Sequence, residues 1–350
     1  MLKSPTHRAL TPALLALLLA VCAPALLPGP ARAAATVTLT AAASPAAVVY
    51  PSSAVVKGSL TGDSAPVPGA PLSLLARSVG TTDWLAAGST TTTTDGAFRF
   101  SVTSSVSTDY RVVYEAAGQP AVTADASLRV QPRLTTTFPA SLWLGASVVL
   151  RGRVEPEHPG ATVVIDRRVS GVWQPLLTVT LDAQSRFSLP WTPDAFGYFR
   201  LRARMDADAV HDVGVSASDL VIVNRPNAHH VPMRYAHYIV IVRHEYRLYY
   251  YEHGALVRRF DVALGRPGYR TPLGYFRVYG KRRPAGGALG ACAMYYRRQG
   301  GIAIHGTDQP ALIRRPVPRG FSHGCARMLN RQVLWLSDRV PIGTHVHNLR

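Results

Sequence analysis

Apolar and polar positions alternate in short runs through the first two thirds of the chain. RFSV at 99–102 and FRLRARM at 199–205 each put apolar residues at every second position. That period places them on one face of a strand. Gly, Pro, Asp and Ser punctuate these runs, and the spacing predicts β-sandwiches of about seven strands each. Beyond residue 236 the pattern changes. YIVIV at 238–242 is continuously apolar, as in a strand buried on both faces. YRLYYYEHGALVRRFDVAL at 246–264 predicts a hairpin turning at His253–Gly254. Further strands are expected in TPLGYFRVYG (271–280), GIAIHG (301–306) and PIGTHVHNL (341–349). Only NRQVLWLSDRV (330–340) carries a helical period. The whole therefore reads as mostly β, with little helix.

The alternating region contains a repeat of about ninety residues. VVKGSL at 55–60 aligns with VLRGRV at 149–154, and DWLAAG at 83–88 with VWQPLL at 172–177. DGAFRFSV at 95–102 aligns with QSRFSLPW at 184–191, TDYRVVY at 108–114 with GYFRLRA at 197–203, and SLRVQP at 127–132 with LVIVNRP at 220–226. Five matches in one order point to duplication, giving domains at 34–131 and 132–226. The pair resembles bacterial immunoglobulin-like modules of cell-surface proteins, which implies a spacer or wall-binding role. Trp84 and Trp173, at matching positions, are expected as core anchors. A linker with proline breakers covers 227–236, and a third domain covers 237–350.

Three observations bound the class of function. Residues 1–33 join a weakly basic start to an apolar run and end in Ala-Arg-Ala, the pattern of a secretory signal peptide. No later stretch approaches the ~18 apolar residues of a membrane span. The expectation is an exported protein, at the extracellular face, in the cell wall or in a periplasm-like space. Net charge is +18, and residues 227–350 carry 20 Lys+Arg against 5 Asp+Glu. Such a field attracts polyanions, and anionic wall polymers suit an exported protein. No aromatic-and-basic motif of a nucleic-acid module accompanies it, so no nucleic-acid partner is expected. Cys22 lies in the leader, which leaves Cys292 and Cys325, too few for a disulfide scaffold. They form one disulfide, or Cys325 is a free catalytic thiol.

FSHGCARM at 321–328 favours the thiol. A cysteine nucleophile needs an imidazole to take its proton and an acceptor to orient that imidazole. His323 lies two residues before Cys325 and would share its face in an extended segment. His305 ends the 301–306 strand, with sixteen residues between it and Ser322. Gly306 and Gly324 allow close backbone approach, and the amides of Gly324 and Cys325 offer an oxyanion hole. Zinc ligation by His305, His323 and Cys325 has no CxxC or HExxH pattern behind it, so no metal and no cofactor are expected.

IHGT, its spacer and SHGCARM, preceded by TPLG, resemble the catalytic domain of the YkuD-type L,D-transpeptidases over about residues 237–348. His305, Ser322, His323, Gly324 and Cys325 fall on the family motif, and RTPLG at 270–274 on its strand entry. The resemblance implies a peptidoglycan L,D-transpeptidase. Cys325 would attack a tetrapeptide stem, release terminal D-Ala and form a thioester that a neighbouring stem resolves as a 3→3 cross-link. It further implies His305 as base with the Gly306 carbonyl orienting it, His323 shaping the site, and carbapenem β-lactams as inhibitors. Ser322 and Arg327 are expected at the substrate. Residues 281–300 read as a lid in which Met294, Tyr295 and Tyr296 cover the stem peptide. The alternatives are an L,D-carboxypeptidase on the same fold and a non-catalytic wall-binding protein.

Overall fold

A computed structural model describes residues 36–314 and 320–350. The expected leader at 1–33 lies outside them. The described chain is mostly β.

The two repeats build the same pair of sheets. In the first, Ser53–Gly62 pairs with Ala97–Thr103. The facing sheet runs Ala47–Val49, Val122–Gln131, Thr108–Tyr114, Pro71–Ser78, Leu85–Thr91. In the second, Val148–Glu155 pairs with Arg186–Trp191. Its facing sheet runs Ser141–Trp143, Asp219–Asn224, Gly197–Met205, Thr162–Val169, Val172–Thr180. Every segment aligned by sequence falls on or beside the corresponding strand. Each unit encloses its own core, around Leu60, Leu72, Val112 and Leu128 in one and Leu150, Ile165, Leu201 and Val221 in the other. Gly58 and Gly152 are the matched glycines of the repeat, and both are paired with a phenylalanine, Phe98 and Phe187. A Cβ at Gly58 would lie 2.8 Å from the Phe98 ring, and one at Gly152 would lie 2.4 Å from the Phe187 ring. The ring covers bare backbone, so no larger residue fits there.

Trp84 and Trp173 are not core anchors. Both are half-buried on the outer surface of their sheet. Arg77 and Arg111 stack on Trp84 at 4.6 and 4.5 Å, and Arg202 stacks on Trp173 at 4.3 Å. Trp84 immediately precedes the edge strand of its sheet and Trp173 lies in the edge strand of its own, where arginines rather than a second sheet are the available cover.

The segment 227–236 packs closely. Val231 and Met233 are buried, and the Tyr198 hydroxyl donates to the Met233 carbonyl at 2.9 Å. Beyond it, one sheet runs Ala255–Asp261, Arg247–Glu252, Tyr238–Val242, His345–Leu349, Gly274–Arg277. A second runs Gly280–Arg282, Ala293–Arg297, Ile302–His305, Ala326–Arg327. Between the sheets and the Asn330–Arg339 helix lies one core containing Ile239, Tyr250, Phe260, Ile304, Met328 and Leu336. The helix follows from Val333, Leu336 and Val340, which recur at three and four and are all buried. Among the described residues no helix is long and apolar enough to cross a membrane.

Candidate active site

Strand register assembles the site. Ile302–His305 runs parallel to Ala326–Arg327, with Ile304 opposite Ala326 and His305 opposite Arg327. It runs antiparallel to Ala293–Arg297, with Ala293 opposite His305 and Met294 opposite Ile304. Side chains alternate between the two faces. Met294, Ile304 and Ala326 therefore enter the core, while Ala293, Ala303, Tyr295 and Cys325 gather on the other face. His305 and Arg327 share that second face with Cys325. Residues separated by twenty positions become neighbours through two strand pairings.

Cys325 is largely buried and free. The Ala303 N–H donates to its Sγ at 3.4 Å. Burial pushes the thiol above its ordinary value, while the Ala303 amide and the Arg327 guanidinium pull it back down. His305 is 2% exposed. Its Nδ1 lies 2.6 Å from the Gly306 carbonyl, which can only accept, so Nδ1 carries the proton. The remaining lone pair is on Nε2. Burial depresses His305 to about 4 against the pull of the Gly306 carbonyl, and the Arg327 charge pushes it the same way as burial. Near neutral pH the resting pair is thus a thiol beside a neutral imidazole, not a preformed thiolate–imidazolium.

The turn carrying the cysteine is held from within. Ser322 is buried, and its Oγ donates to the Cys325 carbonyl at 2.6 Å while accepting the Gly324 N–H at 3.1 Å. Gly324 adopts φ +117, and a Cβ there would lie 2.7 Å from Ile302 Cδ1. Only glycine satisfies both conditions. The strand entry TPLG contributes as well. The buried Thr271 hydroxyl accepts the Gly265 N–H at 3.0 Å, and Leu264–Gly265 pairs with Gly320–Ser322 immediately before the turn.

Several expectations change here. His323 does not share a face with Cys325, because the positive φ at Gly324 breaks the alternation. The imidazole is exposed, with its Nε2 taking an Arg266 N–H at 2.9 Å and its ring against Tyr269. Ser322 spends its hydroxyl on the turn and has none left for substrate. The Gly324 amide, expected in the oxyanion hole, is committed to Ser322 Oγ. Residues 281–300 are not a lid over their length, since Ala293–Arg297 is an interior strand paired on both sides. Met294 and Tyr296 are core side chains, the Tyr296 hydroxyl accepting from Asn348 Nδ2 at 3.2 Å. Tyr295 packs on the site face with Ala293, Ala303 and Cys325. Cys292 is buried with Met294 and Ile304, so the sheet separates it from Cys325.

Asn330 was not singled out from the sequence. Its Oδ1 accepts from the Ala291 and Thr307 amides at 3.0 and 3.2 Å, and its Nδ2 donates to the Thr307 carbonyl at 3.1 Å. It ties together the two loops that flank His305 and holds the Gly306 peptide in place. An asparagine opening a helix reads as a cap, but its side chain bonds elsewhere. Nothing local marks the difference. Arg266 and the Ala303 amide were likewise invisible before the strands were paired.

Residues 236–347 match the family model of the YkuD L,D-transpeptidase catalytic domain. The putative L,D-transpeptidase YkuD of Bacillus licheniformis is 38% identical over 96 residues, which is 27% of this chain and 55% of that protein. The probable L,D-transpeptidase YbiS of Escherichia coli is 31% identical over 137 residues, 31% of this chain and 43% of that one. The chain thus spans about half the length of these curated relatives. Among solved structures, the catalytic domain of an E. faecium L,D-transpeptidase acylated by ertapenem is 26% identical, with a TM-score of 0.27, covering 33% of this chain and 98% of that one.

Proposed function

We propose that the protein is an L,D-transpeptidase acting on peptidoglycan through a thioester on Cys325. The observation that carries this reading is the shared sheet face of Cys325 and a buried, neutral His305 whose Nδ1–H is held by the Gly306 carbonyl. That tautomer leaves Nε2 as the proton acceptor. Sγ attacks the carbonyl of the third stem residue as its proton passes to Nε2. The C–S bond forms, the amide C–N bond breaks, and the proton leaves on the amine of D-Ala. The side-chain amine of a neighbouring stem then attacks the thioester, giving a 3→3 cross-link and returning the thiol. The Cys325 amide is the oxyanion donor, since the Gly324 amide is taken. Arg327 lowers the thiol and offers a bidentate partner to a stem carboxylate. A carbapenem presents a reactive lactam carbonyl to the same thiol and acylates it. In this reading the protein is exported, and the two N-terminal units are Ig-like modules that space the catalytic domain from the wall or bind it there.

The test is reduced protein with purified disaccharide-tetrapeptide, with products resolved by mass spectrometry. Dimers lacking one alanine are expected from the protein and absent from Cys325→Ala. Tripeptide monomer without dimer assigns an L,D-carboxypeptidase instead. No alanine release overturns the catalytic reading in favour of wall binding.

A further inference from the structure

The junction between the two N-terminal units contains three converging metal-ligand side chains that belong to neither the catalytic site nor either core. His158 lies in the loop between Val148–Glu155 and Thr162–Val169. Asp208 and His211 lie in the loop between Gly197–Met205 and Gly214–Val215. His158 Nε2 is 3.1 Å from His211 Nδ1 and 3.3 Å from Asp208 Oδ2, and His211 Nδ1 is 3.0 Å from the same Oδ2. Among the described residues this is the one His/Cys/Asp/Glu group close enough to share an ion.

The hydrogen bonds around the group fit the tautomer that an ion would select. His158 Nδ1 sits 2.6 Å from the Pro156 carbonyl, and His211 Nε2 sits 2.8 Å from the Ser105 carbonyl. Carbonyls only accept, so an N–H on each outer nitrogen satisfies them and frees the inner nitrogens to ligate an ion. The two inner nitrogens then face each other as lone pairs, with a carboxylate oxygen as the third corner. Asp208 is arranged to match. Its Oδ1 takes the Val210 and His211 amides at 2.8 and 2.7 Å and lies 3.1 Å from His211 Nδ1, while Oδ2 faces both imidazoles. Three electron-pair donors 3.0–3.3 Å apart repel one another unless a metal ion or a shared proton sits among them.

We propose that His158 Nε2, His211 Nδ1 and Asp208 Oδ2 bind a divalent transition-metal ion of the zinc class. A tetrahedral ion with bonds of about 2.0–2.1 Å holds its ligands about 3.3 Å apart, close to this triangle. Two imidazoles and one carboxylate suit zinc-class ions, whereas calcium and magnesium require oxygen-rich shells. An outer N–H given to a backbone carbonyl is the usual support of a metal-bound histidine. Both rings are buried, while Asp208 reaches solvent and leaves a fourth position for water. No metal was expected from the sequence, because His158 is far from the Asp-x-x-His pair and no motif joins them.

The ion acts as a clamp. Ser105 belongs to the first unit and His211 to the second. Two backbone bonds flank them, Ser107 N–H to Val210 O at 2.7 Å and Asp212 N–H to Val130 O at 2.9 Å. Metal binding holds the 208–212 loop in the shape that makes these contacts, and so fixes one unit against the other.

The experiment strips the full chain with a chelator, then titrates zinc by calorimetry and cobalt by visible absorption, in a Cys325→Ala background that removes the reactive thiol. One ion per chain is expected, with a tetrahedral cobalt spectrum lacking a thiolate charge-transfer band and a rise in the first unfolding transition. His158→Ala, His211→Ala and Asp208→Asn should each weaken binding at least tenfold, the size of effect that even outer-sphere partners carry. Asp208→Asn keeps an oxygen for the Val210 and His211 amides, so it remains informative if a histidine variant misfolds. In protein retaining Cys325, the same three substitutions should leave carbapenem acylation unchanged. Absence of binding at micromolar zinc, or binding that survives all three substitutions, overturns the proposal and leaves a proton shared between the two rings.

Discussion

At the residue scale, burial and one nearby guanidinium set the chemistry of the pair. Burial raises the Cys325 thiol and Arg327 opposes it. Alkylation of Cys325 by iodoacetamide should keep rising through pH 8.5 without a plateau, because the thiolate is the reactive form. Arg327→Gln removes the opposing charge and should slow alkylation severalfold at pH 8; an unchanged rate would separate the guanidinium from the thiol. His305 has the opposite linkage. Its folded value of about 4 lies below the ordinary 6.5, mainly through burial. Below pH 6.5 the unfolded chain takes up a proton that the folded domain refuses, so stability falls as pH drops towards 4. The loss approaches about 3 kcal/mol. Denaturant titrations at pH 7 and pH 4.5 should show a larger fall for the protein than for His305→Gln.

At the element scale, the site depends on how strands and loops are tied. Ile302–His305 lies between two strands, so its backbone is fixed on both sides. Beyond it the Gly306 N–H still bonds the Cys292 carbonyl at 3.0 Å, and the next amide, Thr307, is held by Asn330. Asn330→Ala leaves the Ala291 and Thr307 amides and the Thr307 carbonyl without their partner. A loss of about 0.5–1.5 kcal/mol in stability is expected, the net worth of hydrogen bonds at an exposed side chain that water in part replaces. The fall in D-Ala release should exceed the fall in folded protein, since the lost restraint acts on the His305 acceptor. Thermal unfolding and turnover measured on one preparation check both parts. Asn330→Asp keeps the acceptor and should recover part of the stability.

At the scale of the molecule, charge and duplication divide the labour. The 227–350 segment holds 20 of the 38 basic residues and 5 of the 20 acidic ones. Adsorption to anionic wall polymer should therefore fall steeply between 50 and 500 mM salt, as screening at high ionic strength shortens the reach of the field to a few ångströms, about 3 Å at 1 M. Co-sedimentation with purified wall measures this, and salt-independent binding would assign it to contacts in the N-terminal units instead. Those units carry nearly balanced charge, and they meet at Ser105–Ser107 and Asp208–Asp212.

Much was legible in the chain itself because its signals are local. Period-two alternation marked strands such as Ala97–Thr103 and Gly197–Met205, continuous apolar runs marked Tyr238–Val242, and a three-to-four period marked the Asn330–Arg339 helix. The order of repeated segments anticipated two units with the same strand pairing. The spacing singled out His305 and Cys325, and strand register brings the two to one face of a sheet. What remained hidden depends on contacts between distant residues. Parity in an interior strand sent Met294 and Tyr296 to the core and Tyr295 to the site. A positive φ at Gly324 turned His323 towards Arg266. Two edge strands put the tryptophans under arginines. Asn330, and the His158–Asp208–His211 triangle, exist only once loops far apart in sequence are packed together. Alternation shows that a strand has two faces; which face meets a core, a cysteine or another loop is decided by the partner strand, and that partner is chosen by the tertiary fold.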